Sequence, residues 1–289
     1  MSNTDERMMA QMPTIGIFDS GLGGLSVLRE IRAQLPYAPL LYFADQAHVP
    51  YGPRALDEVR AFSEEITRFL LSNGAQGIVV ACNTASAAAL HFLRERFPGV
   101  PFVGMEPAVK PAAEQTRTRV VGVLATPATF QGALYASVLE RFAQGVTVLQ
   151  DTCPGLVGQI ERGALQDAET RRILETALFP MLERGIDTVV LGCTHYPFVI
   201  PLIRQIVGDA VRVIDPAPAV ARQVRRVFAS DTTDGWGREV APIQYYTSGD
   251  PATFSALVSR LGVEAGVVRA VRWEQGRLYE KGYVVAEGK

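Results

Sequence analysis

Two stretches decide the fold, GIVVACNTAS at 77–86 and DTVVLGCTHYP at 187–197. Each is a short apolar run, followed by a small residue, a cysteine, and polar residues that open a turn or helix. A run apolar on both faces is the pattern of a strand buried in a parallel sheet. The copies lie about a hundred residues apart, close to the size of one α/β domain. Two related domains facing each other would set Cys82 and Cys193 on opposite walls of one cleft. On this pattern alone, two unrelated strands that both end in cysteine remain the alternative.

Outward from these two stretches the same grammar repeats. TIGIF (14–18), PLLYFA (39–44), VPFVG (100–104), VVGVLA (120–125), VTVLQ (146–150) and VRVID (211–215) read as further buried strands. Between them, GLSVLREIRAQL (24–35), ALDEVRAFSEEITRFLLS (55–72) and DAETRRILETALFPMLERG (167–185) carry apolar residues at helical spacing. Glycine and proline punctuate their ends. The alternation predicts an α/β protein with parallel sheets and right-handed crossovers.

Composition narrows the function classes. The 289 residues carry 28 Lys+Arg against 30 Asp+Glu, a formal charge of −2. That balance argues against nucleic acid or an anionic membrane as partner. No apolar run reaches the roughly 18 residues of a membrane span. The polar opening MSNTDERMMAQM (1–12) lacks the apolar core of a secretory signal. It reads as a disordered prefix, and the chain as cytoplasmic. Three scattered cysteines cannot form a disulfide framework and are expected to be reduced.

In open α/β sheets, ligands bind beyond the carboxyl ends of the strands. Polar residues collect at five such ends: Asp19-Ser20, Asp45, Cys82-Asn83-Thr84, Thr126, and Cys193-Thr194-His195. Cys82 and Cys193 depart from inert buried cysteine because each sits where a strand gives way to a loop or helix. A helix N-terminus there would stabilise a thiolate. Cys153, before Pro154, has no activating neighbour and reads as structural. His195, two residues past Cys193, can shuttle protons or orient a carboxylate. The DSGLGG turn at 19–24 has the wrong glycine spacing for a dinucleotide loop, but its backbone amides can approach an anion. The scattered Cys and His residues disfavour a metal site. Only three lysines occur, Lys110, Lys281 and Lys289, and none has the setting of a Schiff-base lysine.

These motifs together resemble a known family. FDSGLGG (18–24), VPYG (49–52), ACNTAS (81–86), GCTHYP (192–197) and YTSGDP (246–251) are similar, in order, to the motif set of the glutamate racemases of the aspartate/glutamate racemase superfamily. The resemblance implies two pseudo-symmetric α/β domains with the site in the cleft between them. It places 13–106 plus 215–289 in a first domain with a C-terminal extension, and 107–214 in a second. It implies L/D-glutamate interconversion without metal, pyridoxal or other cofactor, in a homodimer, supplying D-glutamate for peptidoglycan.

Carried over by motif, Cys82 and Cys193 would be the two bases, Asp19 the partner of Cys82, and His195 the partner of Cys193. Glu161 would be a further assisting acid. Asp19, Ser20, Tyr51, Gly52, Asn83, Thr84, Thr126, Thr194 and His195 would hold the substrate. Similar aspartate racemases carry an acidic residue in place of His195 and a histidine in place of Ser86, so the resemblance selects glutamate. His48, where an arginine is common, and Ala108, where a glycine is usual, depart from the pattern. The last forty or so residues are assigned no function. An aspartate or hydantoin racemase, a non-reacting acid-binding protein and a Cys82–Cys193 redox switch stay as alternatives.

Overall fold

The computed structural model describes residues 12–228 and 240–280. The expected prefix lies outside these apart from Met12, which is buried in the core. The strands are β1 Ile15–Asp19, β2 Leu40–Ala44, β3 Gly77–Val80, β4 Phe102–Gly104, β5 Val120–Ala125, β6 Thr147–Asp151, β7 Thr188–Gly192, β8 Arg212–Ile214, β9 Ile243–Thr247, β10 Gly266–Glu274 and β11 Arg277–Glu280. The helices are α1 Leu25–Gln34, α2 Leu56–Ser72, α3 Asn83–Arg96, α4 Val109–Gln115, α5 Pro127–Gln131, α6 Ala133–Phe142, α7 Leu156–Glu161, α8 Ala168–Glu183, α9 Ile200–Val207, α10 Ala217–Phe228 and α11 Pro251–Arg260.

Two sheets form, in the orders β11-β10-β9-β2-β1-β3-β4 and β6-β5-β7-β8. All pairings are parallel except the β10–β11 hairpin. The eight runs read as buried strands are all strands. β1, β2, β3 and β7 are buried along their whole length, which is why their sequences show no alternation.

Three strands were not read from the sequence. β9 (IQYYT) and β10 (GVVRAVRWE) mix polar and apolar residues; β9 is buried between β2 and β10 through its tyrosines, and β10 is largely uncovered. The β10–β11 turn is Gln275-Gly276, both with positive φ, +48° and +76°. Two such residues match the twist of a tight hairpin.

One sheet position explains a glycine inside a strand. Gly16 lies in β1, between β2 and β3. A Cβ there would lie 2.9 Å from Ile78 Cδ1, 3.0 Å from Ala75 Cβ and 3.2 Å from Leu70 Cβ. The helix α2 therefore packs against bare backbone at this point. Gly16→Ala is expected to overpack this contact and lower stability by about 1–3 kcal/mol, read as a lower urea midpoint at unchanged slope.

Candidate active site

The carboxyl ends of β1, β3, β5 and β7 converge where the two sheets face each other. Ser20, Tyr51, Gly52, Cys82, Asn83, Thr84, Thr126, Cys193, Thr194 and His195, with Pro50 and Val157, line one small cavity of about 10 Å3. Asp19 and Glu161 sit behind it.

Cys82 caps the N-terminus of α3, its Sγ accepting from the Ala85 amide at 3.4 Å. Its thiol points to Ser20 Oγ at 3.9 Å. The expected helix-end contact is present, yet it does not win. Burial, followed by the Asp19 charge, pushes the Cys82 thiol well above its usual range, against the Ala85 hydrogen bond. One helix amide offsets only part of the cost of taking a thiolate out of water.

Asp19 is fully buried and binds elsewhere than to Cys82. Its Oδ1 accepts from the Gly21 amide at 2.8 Å and its Oδ2 from Thr194 Oγ1 at 3.0 Å. Burial raises its carboxyl above the usual range, with the His195 charge and these hydrogen bonds opposing.

Cys193 ends β7, and its Sγ lies 3.7 Å from His195 Nδ1. The other ring nitrogen, Nε2, meets Glu161 Oε1 at 2.6 Å. Burial alone would favour the neutral imidazole, but the bonds to Cys193 and Glu161 hold His195 well above its ordinary range. Burial would likewise raise Glu161, but the His195 bond and charge, the Leu22 amide and Gln46 together hold it below the carboxylate range. The pair is therefore imidazolium and carboxylate at neutral pH.

The DSGLGG turn does approach an anion, and that anion belongs to the chain itself. The Leu22 amide donates to Glu161 Oε1 at 2.7 Å. A Cβ on Gly21 would collide with the same oxygen, and one on Gly23 with His195 Nδ1. These glycines let the second sheet's acid and imidazole close on the first sheet's loop.

Asn83 is 4% exposed, and neither its Nδ2 nor its Oδ1 has a hydrogen-bond partner. A buried donor and acceptor left open in a cavity wall are matched to a polar ligand. Thr84 Oγ1 and Thr126 Oγ1 bond to each other at 2.8 Å across the two sheets.

The sequence reading missed Gln46, whose amide donates to Glu161 Oε2 at 3.3 Å. Its place just past β2, beside the strand-end Asp45, was the available signal. Lys110 pairs with Glu114 on α4 at 3.9 Å and does not line the cavity. Among the described residues, no group of three or more His, Cys, Asp or Glu is placed to hold a metal ion.

The model of the Asp/Glu/Hydantoin racemase family matches residues 8–224. The chain belongs to the Asp/Glu/Hydantoin racemase family. Within that family it is 53% identical over 251 residues to a glutamate racemase of Roseiflexus sp., covering 86% of this chain and 91% of the relative. The crystal structure of Escherichia coli glutamate racemase in complex with L-glutamate and activator UDP-MurNAc-ala superposes with a TM-score of 0.80 at 29% identity, covering 90% of this chain and 98% of that one. The Francisella tularensis glutamate racemase in complex with D-glutamate gives 0.77 at 26% identity, with 90% and 97% covered.

The His195–Glu161 contact has a direct test. Glu161→Gln removes the charge and weakens one of the two bonds that hold the imidazolium, leaving Cys193 alone to oppose burial. The His195 titration is expected to move down. Only three histidines occur, so the ring-proton NMR titration can be assigned by single substitutions.

Proposed function

We propose that this racemase-family chain interconverts L- and D-glutamate by α-proton transfer between Cys82 and Cys193, without a cofactor. The observation that carries the reading is that both thiols open into one cavity, each from the end of a strand in a different sheet. Racemisation removes the α-proton from one face and returns one to the other. Two bases on opposite faces take turns, one thiolate abstracting while the opposing thiol donates.

The surroundings of the two sulfurs divide the roles. Cys82, with its thiol pushed up by burial and by Asp19, rests protonated and is the donor in the direction in which Cys193 abstracts. The His195 imidazolium, 3.7 Å from Cys193 Sγ, is the proton carrier on the other side, and Glu161 holds it charged and oriented. Asp19 acts on Cys82 through its charge, whereas Ser20 is the group within hydrogen-bond reach of the Cys82 sulfur.

An amino acid's α-proton is far less acidic than a thiol, so the developing carbanion needs preorganised donors in a dry site. Asn83 Nδ2 has no competing partner and is the first of these. The Thr84 and Thr126 hydroxyls, bonded to each other, can turn to the substrate. Asn83, Thr84, Thr126 and the Ser20 and Gly52 segments would hold the two carboxylates and the ammonium group. The family resemblance further supports a cytoplasmic homodimer that supplies D-glutamate for peptidoglycan. No helix among the described residues is long and apolar enough to cross a membrane.

The test is proton NMR of D-glutamate and L-glutamate incubated with the protein in D2O. The Cα–H signal should disappear for both enantiomers. Cys82→Ala and Cys193→Ala should each slow that loss by about 10²–10⁴-fold, the scale of one general acid or base. Unchanged glutamate with folded, reduced wild-type protein would overturn the reading, and exchange of aspartate or a hydantoin instead would reassign the substrate.

A further inference from the structure

Asp45 lies just past the end of β2, fully buried, and four side chains turn towards its carboxylate. Oδ2 accepts from the Tyr51 hydroxyl at 2.6 Å and meets His48 Nδ1 at 2.8 Å. Oδ1 accepts from Ser248 Oγ at 2.8 Å and Trp273 Nε1 at 2.7 Å. Two of these donors are near in sequence. The other two come from the C-terminal part of the chain, Ser248 directly after β9 and Trp273 within β10.

The arrangement links the outer part of the larger sheet to the cavity. Tyr51, 1% exposed, is part of the cavity wall that also contains Cys82. Burial and the Asp45 carboxylate keep its phenol protonated, so it can only hold Asp45 as a donor. Trp273 also stands edge-on to the His48 and Phe62 rings, at centroid distances of 5.0 and 5.6 Å. An indole N–H donates and never accepts, so its one polar contact is spent on orienting Asp45. A buried carboxylate that loses one of its donors is left with an unsatisfied acceptor, and the Tyr51 hydroxyl is bonded to its other oxygen.

We propose that Trp273, assisted by Ser248, is a positioning residue: it fixes Asp45, Asp45 fixes Tyr51, and the C-terminal strand β10 thereby sets how tightly the cavity holds its amino-acid substrate. This rests on the cavity being the glutamate site. Trp273 is not among the residues that line the cavity, so its effect falls on binding and not on proton transfer.

The experiment uses the full chain carrying Trp273→Phe, Ser248→Ala, Tyr51→Phe, and the double variant Trp273→Phe/Tyr51→Phe. Trp273→Phe removes the N–H but also truncates the indole that packs on His48 and Phe62, whereas Ser248→Ala deletes only a hydroxyl donor to the same carboxylate oxygen. The KM for D-glutamate is expected to rise about tenfold, the scale of one unsatisfied buried acceptor, with kcat within about twofold. Ser248→Ala should shift KM in the same direction, and it reads the same route if Trp273→Phe fails to fold. Against a Tyr51→Phe background Trp273→Phe should add nothing, because the two act in series.

A second readout needs no turnover. The rate of Cys82 alkylation by iodoacetamide, followed by peptide mass spectrometry against Cys153, should rise at least about threefold in Trp273→Phe as the Tyr51 wall loosens. An unchanged KM and alkylation rate would overturn the proposal, as would an equal KM shift with and without the Tyr51 hydroxyl. Wild-type protein that leaves glutamate unchanged would instead sink the glutamate reading, and the alkylation rates would still decide the positioning role.

Discussion

One carboxylate oxygen of Glu161 holds the site together. Glu161 Oε1 accepts from the Leu22 amide of the first sheet's glycine turn and from His195 of the second sheet's strand-end loop. A buried carboxylate is costly unless it is paired and hydrogen-bonded. The turn can supply its amide only because it carries glycines where the acid and the imidazole approach. His195 can supply its charge only because Glu161 is there to hold it. The packing of two sheets and the protonation of one ring are thus fixed by the same contact. Around it lie further bonds of the same kind, Thr194 to Asp19, Ser26 to the Thr194 carbonyl, and Thr84 to Thr126.

The two cysteines are alike in sequence and unlike in setting. Each follows a buried strand at the same step of the same pattern. Cys82 caps a 14-residue helix and has a hydroxyl and a carboxylate for company. Cys193 precedes a short 3-10 turn, Tyr196–Val199, and has an imidazolium beside it. In the proposed two-base reaction, Cys82 would rest protonated while Cys193 is served by a charged neighbour. The pseudo-repeat sets the placement of the sulfurs, and their neighbours make them unequal.

The legible part of this molecule was the part whose chemistry is local. The continuous apolar runs marked the inner strands, and the polar residues directly after them marked Cys82, Asn83, Thr84, Thr194 and His195. What stayed hidden depends on the two sheets closing. Thr194 shows no sign in the sequence of binding Asp19, 175 positions away. The DSGLGG turn was read as facing a ligand, but its Leu22 amide is taken by Glu161. The direction of the Cys82 shift was also misread, because burial is a tertiary property and a helix cap a local one. β10 was missed because half of its side chains face outward, so its pattern is neither a continuous apolar run nor helical.

The cavity of about 10 Å3 holds roughly one water molecule, far less than an amino acid occupies. A cavity this closed would admit an amino acid only by parting of the facing sheets. Between residues 12 and 228 the chain passes from one sheet to the other at 105–108 and at 215–216. Such parting would give up the bonds from Leu22, Ser26, Thr194 and Thr84, at about 1 kcal/mol net apiece. Turnover would then have a clock separate from the chemistry. The tighter the seal that keeps solvent from the transferred proton, the longer the product waits to leave.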